Sequence, residues 1–307
     1  MIKNFNFYDV YGYFLPGLVL LTLIWLPFGV NGRLWPAKEL ASALIAVPLA
    51  YVVGHILQTI AALSMSARVK KQNESARYPS DLLLDVGDDK TFSVDFKNQL
   101  AEQIKALFKL DVNDNDADKR IRNRQDAFFL CRSTLIGSKA ASYGEQFEGM
   151  YTLMRGLAGS FAISFVYYIG WGVGDLAFAG NKCYQKWGLA IGFVGLIGAI
   201  LFTVVSESSS ERSVRFKKIY WMLGSLFVGV LSIGSYLGSK INSHRPGILF
   251  IIAFATLLAS LKSYGSFRYF AWEFAKAIYR DFYNHREIKR ELEKDRSNAT
   301  GTEVEDE

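Results

Sequence analysis

Histidine and cysteine are the residues that most readily carry metal or nucleophilic chemistry, and this chain has few of either. His55, His244 and His285 are far apart, and the two cysteines are Cys131 and Cys183. Such spacing cannot assemble a zinc site, and we find neither a phosphate-binding glycine loop nor a nucleophile beside a base. The sequence therefore predicts no metal, no cofactor, no catalytic residues and no recognisable enzymatic reaction.

An acidic run from Asp111 to Asp116 has oxygen ligands at alternate positions, as a calcium loop does. Its sixth position is Asp116, where the calcium loop needs glycine. Its twelfth position is Arg122, where the loop needs glutamate. We therefore interpret the run as a solvated acidic turn that caps the following helix.

A cluster of basic residues follows this turn and is suited to bind phosphate groups. Its members are Lys119, Arg120, Arg122, Arg124 and Arg132. If several subunits meet around an axis, the cluster forms a binding site for a nucleotide-like ligand. The alternative is a solvated helix face without a ligand.

Three polar side chains fall inside long apolar tracts. His55 and Gln58 lie about one helical turn apart in one tract, and Arg155 lies near the start of another. An ionisable group in the bilayer is a functional candidate, so these three are our candidates for intramembrane polar function. The structural alternatives are an interhelical hydrogen bond for His55 and Gln58, and an arginine that reaches the headgroups or Glu148.

Membrane-spanning helices are needed to position these side chains. A span must be helical, because lipid cannot satisfy backbone hydrogen bonds. It takes about 20 mostly apolar residues, because the hydrocarbon layer is about 30 Å thick. Six tracts qualify, and they are residues 13–30, 40–65, 151–174, 187–206, 219–238 and 247–261. The sequence thus predicts an all-α fold, a polytopic transmembrane bundle of about six spans. Small residues such as Gly192 and Gly229 recur at helix-packing intervals in the fourth and fifth spans.

Basic residues are distributed unevenly between the two sides of this bundle. Three alternate connections carry only two Lys or Arg each, and the remaining segments carry the rest of the 35. Since positively charged segments stay in the cytoplasm, both termini and the long loop are predicted to be cytoplasmic. Cys131 then lies inside and Cys183 outside, which excludes a disulfide between them.

This topology divides the chain into four segments. Residues 1–65 hold an aromatic anchor and two spans, 66–149 form a small helical cytoplasmic layer, and 150–262 hold the remaining spans. Residues 263–307 form an amphipathic aromatic helix that ends in a disordered tail from Asn298. The cytoplasmic loop carries 14 basic and 14 acidic residues, so general binding of nucleic acid is not indicated.

Helices are also predicted in the polar segments. Ser93 caps a helix with Leu100 and Ile104 on its apolar face, residues 118–133 form a second helix, and a third begins near Ser138 and runs into the third span. The aromatic C-terminal helix has two interpretations. It lies at the membrane interface, or it packs beneath the loop segment.

Three strings of residues resemble an uncharacterised group of bacterial multi-spanning membrane proteins. They are Tyr8-Asp9-Val10-Tyr11-Gly12-Tyr13-Phe14-Leu15-Pro16-Gly17, Gly54-His55-Ile56-Leu57-Gln58, and the stretch from Glu145-Gln146-Phe147 to Met154-Arg155-Gly156-Leu157. Proteins of this build look similar to membrane effectors of anti-phage operons, in which a cytoplasmic module gates a pore. The resemblance implies a location in the bacterial inner membrane and a role in antiviral defence.

These observations favour an oligomeric membrane effector or gated ion channel that is controlled through its cytoplasmic helices. One alternative is a small-solute transporter, although we find no internal repeat between the two halves. A second alternative is a non-catalytic scaffold that recruits a cytosolic partner protein. The expected partners are membrane lipid, further copies of the chain, and a nucleotide-like ligand or a cytosolic protein.

Overall fold

The computed structural model describes residues 9–30, 40–65, 78–85, 91–138, 142–177, 194, 212–241 and 246–301. Every regular element in these ranges is a helix, and the ranges contain no strand, which confirms the predicted all-α class. The elements are a π-helical turn Val10–Phe14, α1 Leu15–Val30, α2 Leu40–Ser64, α3 Pro79–Leu83, α4 Val94–Phe108, α5 Ala117–Gly137, α6 Ser142–Ala177, α7 Arg212–Ile241 and α8 Pro246–Gly301.

Four helices of the described ranges are long and apolar enough to cross a membrane. Their apolar stretches are Val10–Phe28, Ile45–Ser64, Gly144–Leu176 and Gly247–Arg290. These stretches overlap the predicted first, second, third and sixth spans. The predicted fourth span, 187–206, lies outside the described residues apart from Val194. The predicted fifth span falls in α7, whose apolar stretch Leu223–Leu237 is shorter. The total of six spans stays a prediction.

The chain folds as two compact units, and separated parts of the sequence form each one. Unit 1 consists of Met1–Ser66 and Thr152–Phe267. Unit 2 consists of Ala67–Tyr151 and Arg268–Glu307. Two helices, α6 and α8, therefore contribute residues to both units.

Unit 1 exposes apolar side chains and packs its interior through small residues. Ile45 on α2 is 69% exposed and Ile251 on α8 is 70% exposed. Hydrocarbon can solvate such side chains, whereas water would make their exposure costly. Inside the unit, α6 and α7 approach so closely that a Cβ added to Gly174 would meet the backbone carbonyl of Ser235. Trp171 of α6 is fully buried in the same interior.

Unit 2 has a compact core of buried apolar side chains, although some large ones such as Phe129 stay exposed. The Ser93 hydroxyl accepts a hydrogen bond from the Phe96 N–H and caps α4, as predicted. Leu100 and Ile104 of this helix are fully buried in the core. The helix ends at Lys109, which adopts the left-handed conformation at φ 59°.

Two further helices of unit 2 lie close to their predicted bounds. The helix predicted over 118–133 is α5, which extends to Gly137. The helix predicted from near Ser138 is α6, which begins at Ser142. The short helix α3 was not predicted, although Pro79 at its first position is a common start signal.

The C-terminal part of α8 completes the core of unit 2. Ile278, Tyr279 and Phe282 are buried against the apolar faces of α4 and α5. Of the two interpretations of this segment, the structure shows the packing helix. The helix continues to Gly301, so Asn298 to Gly301 are helical where composition predicts disorder. Extending an existing helix avoids the cost of nucleation, which a composition argument does not take into account.

Candidate functional site

A buried polar cluster in unit 1 joins the N-terminal π-helical turn to α2 and α6. Gln58 of α2 lies at its centre and is 4% exposed. The Gln58 Nε2 donates to the carbonyl oxygen of Gly12 at 2.6 Å and to that of Thr152 at 2.8 Å. The Gln58 Oε1 accepts from Arg155 Nε at 3.0 Å. A single side-chain amide thus uses both donors and its acceptor to connect three segments.

Pro16 explains why the Gly12 carbonyl has a side-chain partner. In an α-helix the N–H of residue 16 would donate to the carbonyl of residue 12, but proline has no N–H. The backbone widens into the π-helical turn just before Pro16, where the Leu15 N–H donates to the Val10 carbonyl oxygen. Gln58 supplies the hydrogen bond that Pro16 cannot.

Glycines bring the three segments within hydrogen-bonding reach of each other. A Cβ added to Gly17 of α1 would meet the carbonyl oxygen of Ala50 in α2. A Cβ added to Gly54 of α2 would meet the carbonyl oxygen of Tyr13 in the π-helical turn. A Cβ added to Gly156 of α6 would meet the side chains of Gln58 and Pro16. The cluster therefore depends on backbones that only glycine allows to approach.

The three strings that carry the resemblance meet in this cluster. Gly12 and Pro16 belong to the first string, Gln58 to the second and Arg155 to the third. The structure thus brings together two of the three predicted intramembrane candidates, Gln58 and Arg155. The predicted interhelical hydrogen bond is present at Gln58.

His55 takes a different position from Gln58. It is exposed on unit 1, and its ring stacks on Tyr13 with 3.7 Å between centroids and 14° between planes. Tyr51 approaches the same ring edge-on at 4.6 Å. His55 therefore belongs to an aromatic surface beside the π-helical turn, and a functional role for it stays a prediction.

Arg124, one of the five basic residues predicted to bind a ligand, is buried in unit 2. Arg124 is only 3% exposed. Its Nε donates to the Val112 carbonyl oxygen at 2.9 Å, and its Nη1 donates to that of Asp81 at 3.2 Å. The Asp85 carboxylate lies 3.4 Å from the same guanidinium. Arg124 thus connects α3, α5 and the loop before α5.

The other four basic residues lie nearer the surface. Lys119 pairs with the Asp114 carboxylate at 2.6 Å, and Arg120 donates to the Asp114 carbonyl oxygen at 3.0 Å. Arg132 Nη2 donates to both carboxylate oxygens of Glu148, at 2.8 and 2.7 Å. Arg122 is exposed. Binding of a ligand by this set in a ring of subunits stays a prediction.

The acidic run forms turns and a helix cap. The Asp111 Oδ1 accepts from the Asn113 N–H at 3.0 Å, and the Asp116 Oδ1 accepts from the N–H groups of Asp118 and Lys119 in the first turn of α5. A hydrogen bond from Lys105 lowers the pKa of the Asp111 carboxyl group. Within the described ranges, no group of His, Cys, Asp or Glu side chains is arranged to hold a metal ion.

Two buried groups of unit 2 were not predicted. Asp81 is 1% exposed, and its Oδ2 accepts from Gln125 Nε2 and from the Tyr78 N–H, each at 3.4 Å. Burial raises the pKa of its carboxyl group. The signal in the sequence is an acidic residue at the third position of a helix that begins with Pro79. Burial also raises the pKa of the Cys131 thiol, which keeps it protonated and unreactive.

These features define a protein whose described residues are helical, with four helices long and apolar enough to cross a membrane and, in unit 2, a core of buried apolar side chains. Comparison with known proteins adds no relative: no family model matches the chain, and no curated protein or solved structure is significantly similar to it.

Proposed function

We propose that this chain is an integral protein of the bacterial inner membrane that forms a gated pore as an oligomer, with unit 2 as the controlling module. The proposal includes both termini on the cytoplasmic side, which the distribution of Lys and Arg supports. Defence against phage is the proposed biological setting, and it rests on the resemblance of the three strings.

The observation that carries the proposal is the continuity of α6. This helix contributes Glu148 to an ion pair in unit 2 and Arg155 to the polar cluster of unit 1. Its sequence from Ser142 to Ala177 contains no proline. An uninterrupted helix can carry a displacement along its axis, which is the kind of element a switch requires. The second shared helix, α8, is likewise free of proline after Pro246.

The buried polar cluster around Gln58 can hold α6 in one of two discrete positions. Thr152 is the first residue of α6 that belongs to unit 1, and its carbonyl accepts from Gln58. A shift or rotation of α6 would break this bond and the one from Arg155 together. Because buried hydrogen bonds in an apolar environment are either made or lost, the cluster favours discrete states over gradual movement.

Ion flux through the reconstituted protein tests the proposal. Full-length protein is inserted in liposomes loaded with potassium chloride, and ion release is compared for wild type, Gln58→Leu and Thr59→Val. Thr59 is the matched control, because its hydroxyl donates only to the His55 carbonyl of its own helix turn, at 3.1 Å. We expect Gln58→Leu to change the flux and Thr59→Val to leave it at the wild-type level. Liposomes that stay sealed for all three proteins, with insertion verified and both with and without added nucleotides, would refute a pore.

A transporter is the second candidate, and Asp175 favours it. None of the six predicted spans contains Asp or Glu, and residue 175 directly follows the third of them. The structure has Asp175 inside α6, within the apolar stretch that ends at Leu176, and only 7% exposed. A carboxylate in a membrane helix is typical of ion-coupled carriers. Saturable solute uptake that is lost in Asp175→Asn would favour the transporter over the pore.

A further inference from the structure

Unit 2 contains a cavity of about 460 Å³ between α3, α5, the start of α6 and the C-terminal part of α8. Its volume falls within the range of small-ligand sites. Five of its ten lining residues are aromatic, and they are Tyr78, Phe128, Phe129, Tyr151 and Phe274. The cavity is separate from the polar cluster of unit 1, and none of the five predicted basic residues lines it.

The rings are arranged to receive a flat molecule. Phe128 meets Phe274 edge-on at 5.7 Å, and Tyr151 lies nearly parallel to Phe274 at 6.5 Å. These contacts fix three of the rings. Phe129 contacts Phe128 edge-on at 6.0 Å, yet it remains 64% exposed. A large exposed ring on a cavity wall is a platform on which a second planar ring can stack.

A hydrogen-bonding group is fixed at the edge of the cavity. Gln125 lines it, and its Nε2 donates to the Asp81 carboxylate at 3.4 Å. Asp81 is 1% exposed and so holds the amide in one orientation. A glutamine amide presents a donor and an acceptor side by side, which matches the edge of a nucleobase.

A positive charge lies on the same face of α5. Arg122 precedes Gln125 by three residues and Phe129 by seven, and helical spacing therefore aligns the three side chains. Arg122 is exposed, in contrast to the buried Arg124. Arg122 does not itself line the cavity, but an exposed guanidinium on the helix face that does is suited to the phosphate of a ligand whose ring is bound inside.

We propose that this cavity binds a nucleotide, with the base stacked on Phe129, its edge bonded to Gln125 and its phosphate paired with Arg122. The inference rests on the proposed function in that the nucleotide would be the signal for the pore. Two residues of the cavity wall lie close to the boundary between the units. Tyr151 is the last residue of α6 in unit 2, and Ala271 lies three residues after Arg268, where α8 enters unit 2. Binding would therefore order the segments of both helices that continue into unit 1.

Equilibrium dialysis of the full-length protein in detergent tests this site without reference to ion flux. The probes are AMP, GMP, CMP and UMP at up to millimolar concentration, with the four corresponding nucleosides and ribose 5-phosphate as partial ligands. We expect at least one nucleotide to bind more tightly than its nucleoside, and ribose 5-phosphate to bind least. Phe129→Ala should weaken nucleotide binding about tenfold or more, and Phe129→Trp should retain it. Arg122→Ala should weaken the nucleotide to the level of the nucleoside.

Matched controls keep these outcomes interpretable. Ile136 lies on α5 two turns after Phe129, is 46% exposed and does not line the cavity, so Ile136→Ala should leave binding unchanged. The side chain of Arg290 is 80% exposed and does not line the cavity, so Arg290→Ala is the control for Arg122→Ala and should leave binding unchanged. Circular dichroism verifies that each variant is folded.

Three results would overturn the site. They are no binding of any nucleotide, equal binding of ribose 5-phosphate, and unchanged binding in Phe129→Ala. Nucleotide binding by liposomes that remain sealed would retain the site and refute only the pore.

Discussion

The side-chain amide of Gln58 donates to the carbonyl oxygen of Gly12, the group for which Pro16 has no N–H to offer. A polar residue in an apolar helix thus completes the backbone hydrogen bonding of a neighbouring helix. This repair explains both the proline near the start of α1 and the glutamine in the middle of α2. It also ties both segments to α6, the helix shared by the two units.

Replacement of Gln58 by leucine is expected to destabilise unit 1 by at least about 2 kcal/mol, because it leaves buried backbone carbonyls without their donor. Gln58→Glu retains an acceptor for Arg155 but has no N–H for Gly12, so it should also be destabilised. The apparent melting temperature in detergent, followed by circular dichroism, measures the effect. Equal stability of Gln58→Glu and wild type would show that the donated hydrogen bonds contribute little.

A methyl group at the contact between the π-helical turn and α2 is expected to separate these two segments. Gly54→Ala places its Cβ against the Tyr13 carbonyl oxygen, and we expect it to cost about 1–3 kcal/mol. Gly224→Ala in α7 is the control, because a Cβ there meets no heavy atom within 4 Å. The control should be neutral or slightly stabilising, since alanine favours helix. The same melting experiment decides, and an undisturbed Gly54→Ala would contradict the observed packing.

Arg124 and Arg122 are separated by one residue on α5, and substitution of the two should affect the stability of unit 2 to very different extents. Arg124→Ala leaves the carbonyl oxygens of Val112 and Asp81 without a donor, so unit 2 should lose at least about 2 kcal/mol. Arg122→Ala removes an exposed charge and should have little effect on stability. Limited proteolysis between α4 and α5 reports on this unit. Similar protection of Arg124→Ala and Arg122→Ala would refute a structural role for the buried guanidinium.

Stability should depend on pH through Asp81 with the opposite sign to an ordinary paired carboxylate. Burial raises the pKa of Asp81, so its contribution is fully present below the unfolded pKa of about 3.9 and is lost as pH rises through the folded pKa. The melting temperature of wild type should therefore fall relative to that of Asp81→Asn as pH rises from about 4.

Asp114 provides the matched comparison for this pH dependence. A hydrogen bond from Lys119 lowers the pKa of the Asp114 carboxyl group. Its contribution is present above the unfolded pKa and is lost as pH falls through the folded pKa. Wild type should therefore lose stability relative to Asp114→Asn on acidification. Parallel pH profiles for the two variants would contradict the assigned environments.

The features that depend on local sequence were predictable. The Ser93 cap and the buried Leu100 and Ile104 follow from helix periodicity and capping chemistry. The membrane-type helices follow from long stretches without charge. These signals are local because each is contained in one helix.

The features that depend on contacts between distant residues were not predictable. The π-helical turn before Pro16 requires a donor from Gln58, which is 46 residues away from Gly12. Arg124 resembles its solvated neighbours in sequence, and its burial becomes visible only when α3 and the loop at Val112 surround it. Periodicity likewise cannot show that an aromatic C-terminal helix finds its partner in unit 2 instead of at a membrane surface.

A charge exchange between Arg132 and Glu148 tests the central claim most directly, because this ion pair holds the start of α6 to α5 within unit 2. Ion flux is measured in liposomes for wild type, Glu148→Arg, Arg132→Glu and the double exchange. If unit 2 controls a pore through α6, each single reversal changes the flux and the double exchange restores the wild-type level. Flux that is the same in all four proteins, or absent from all four, would contradict the account.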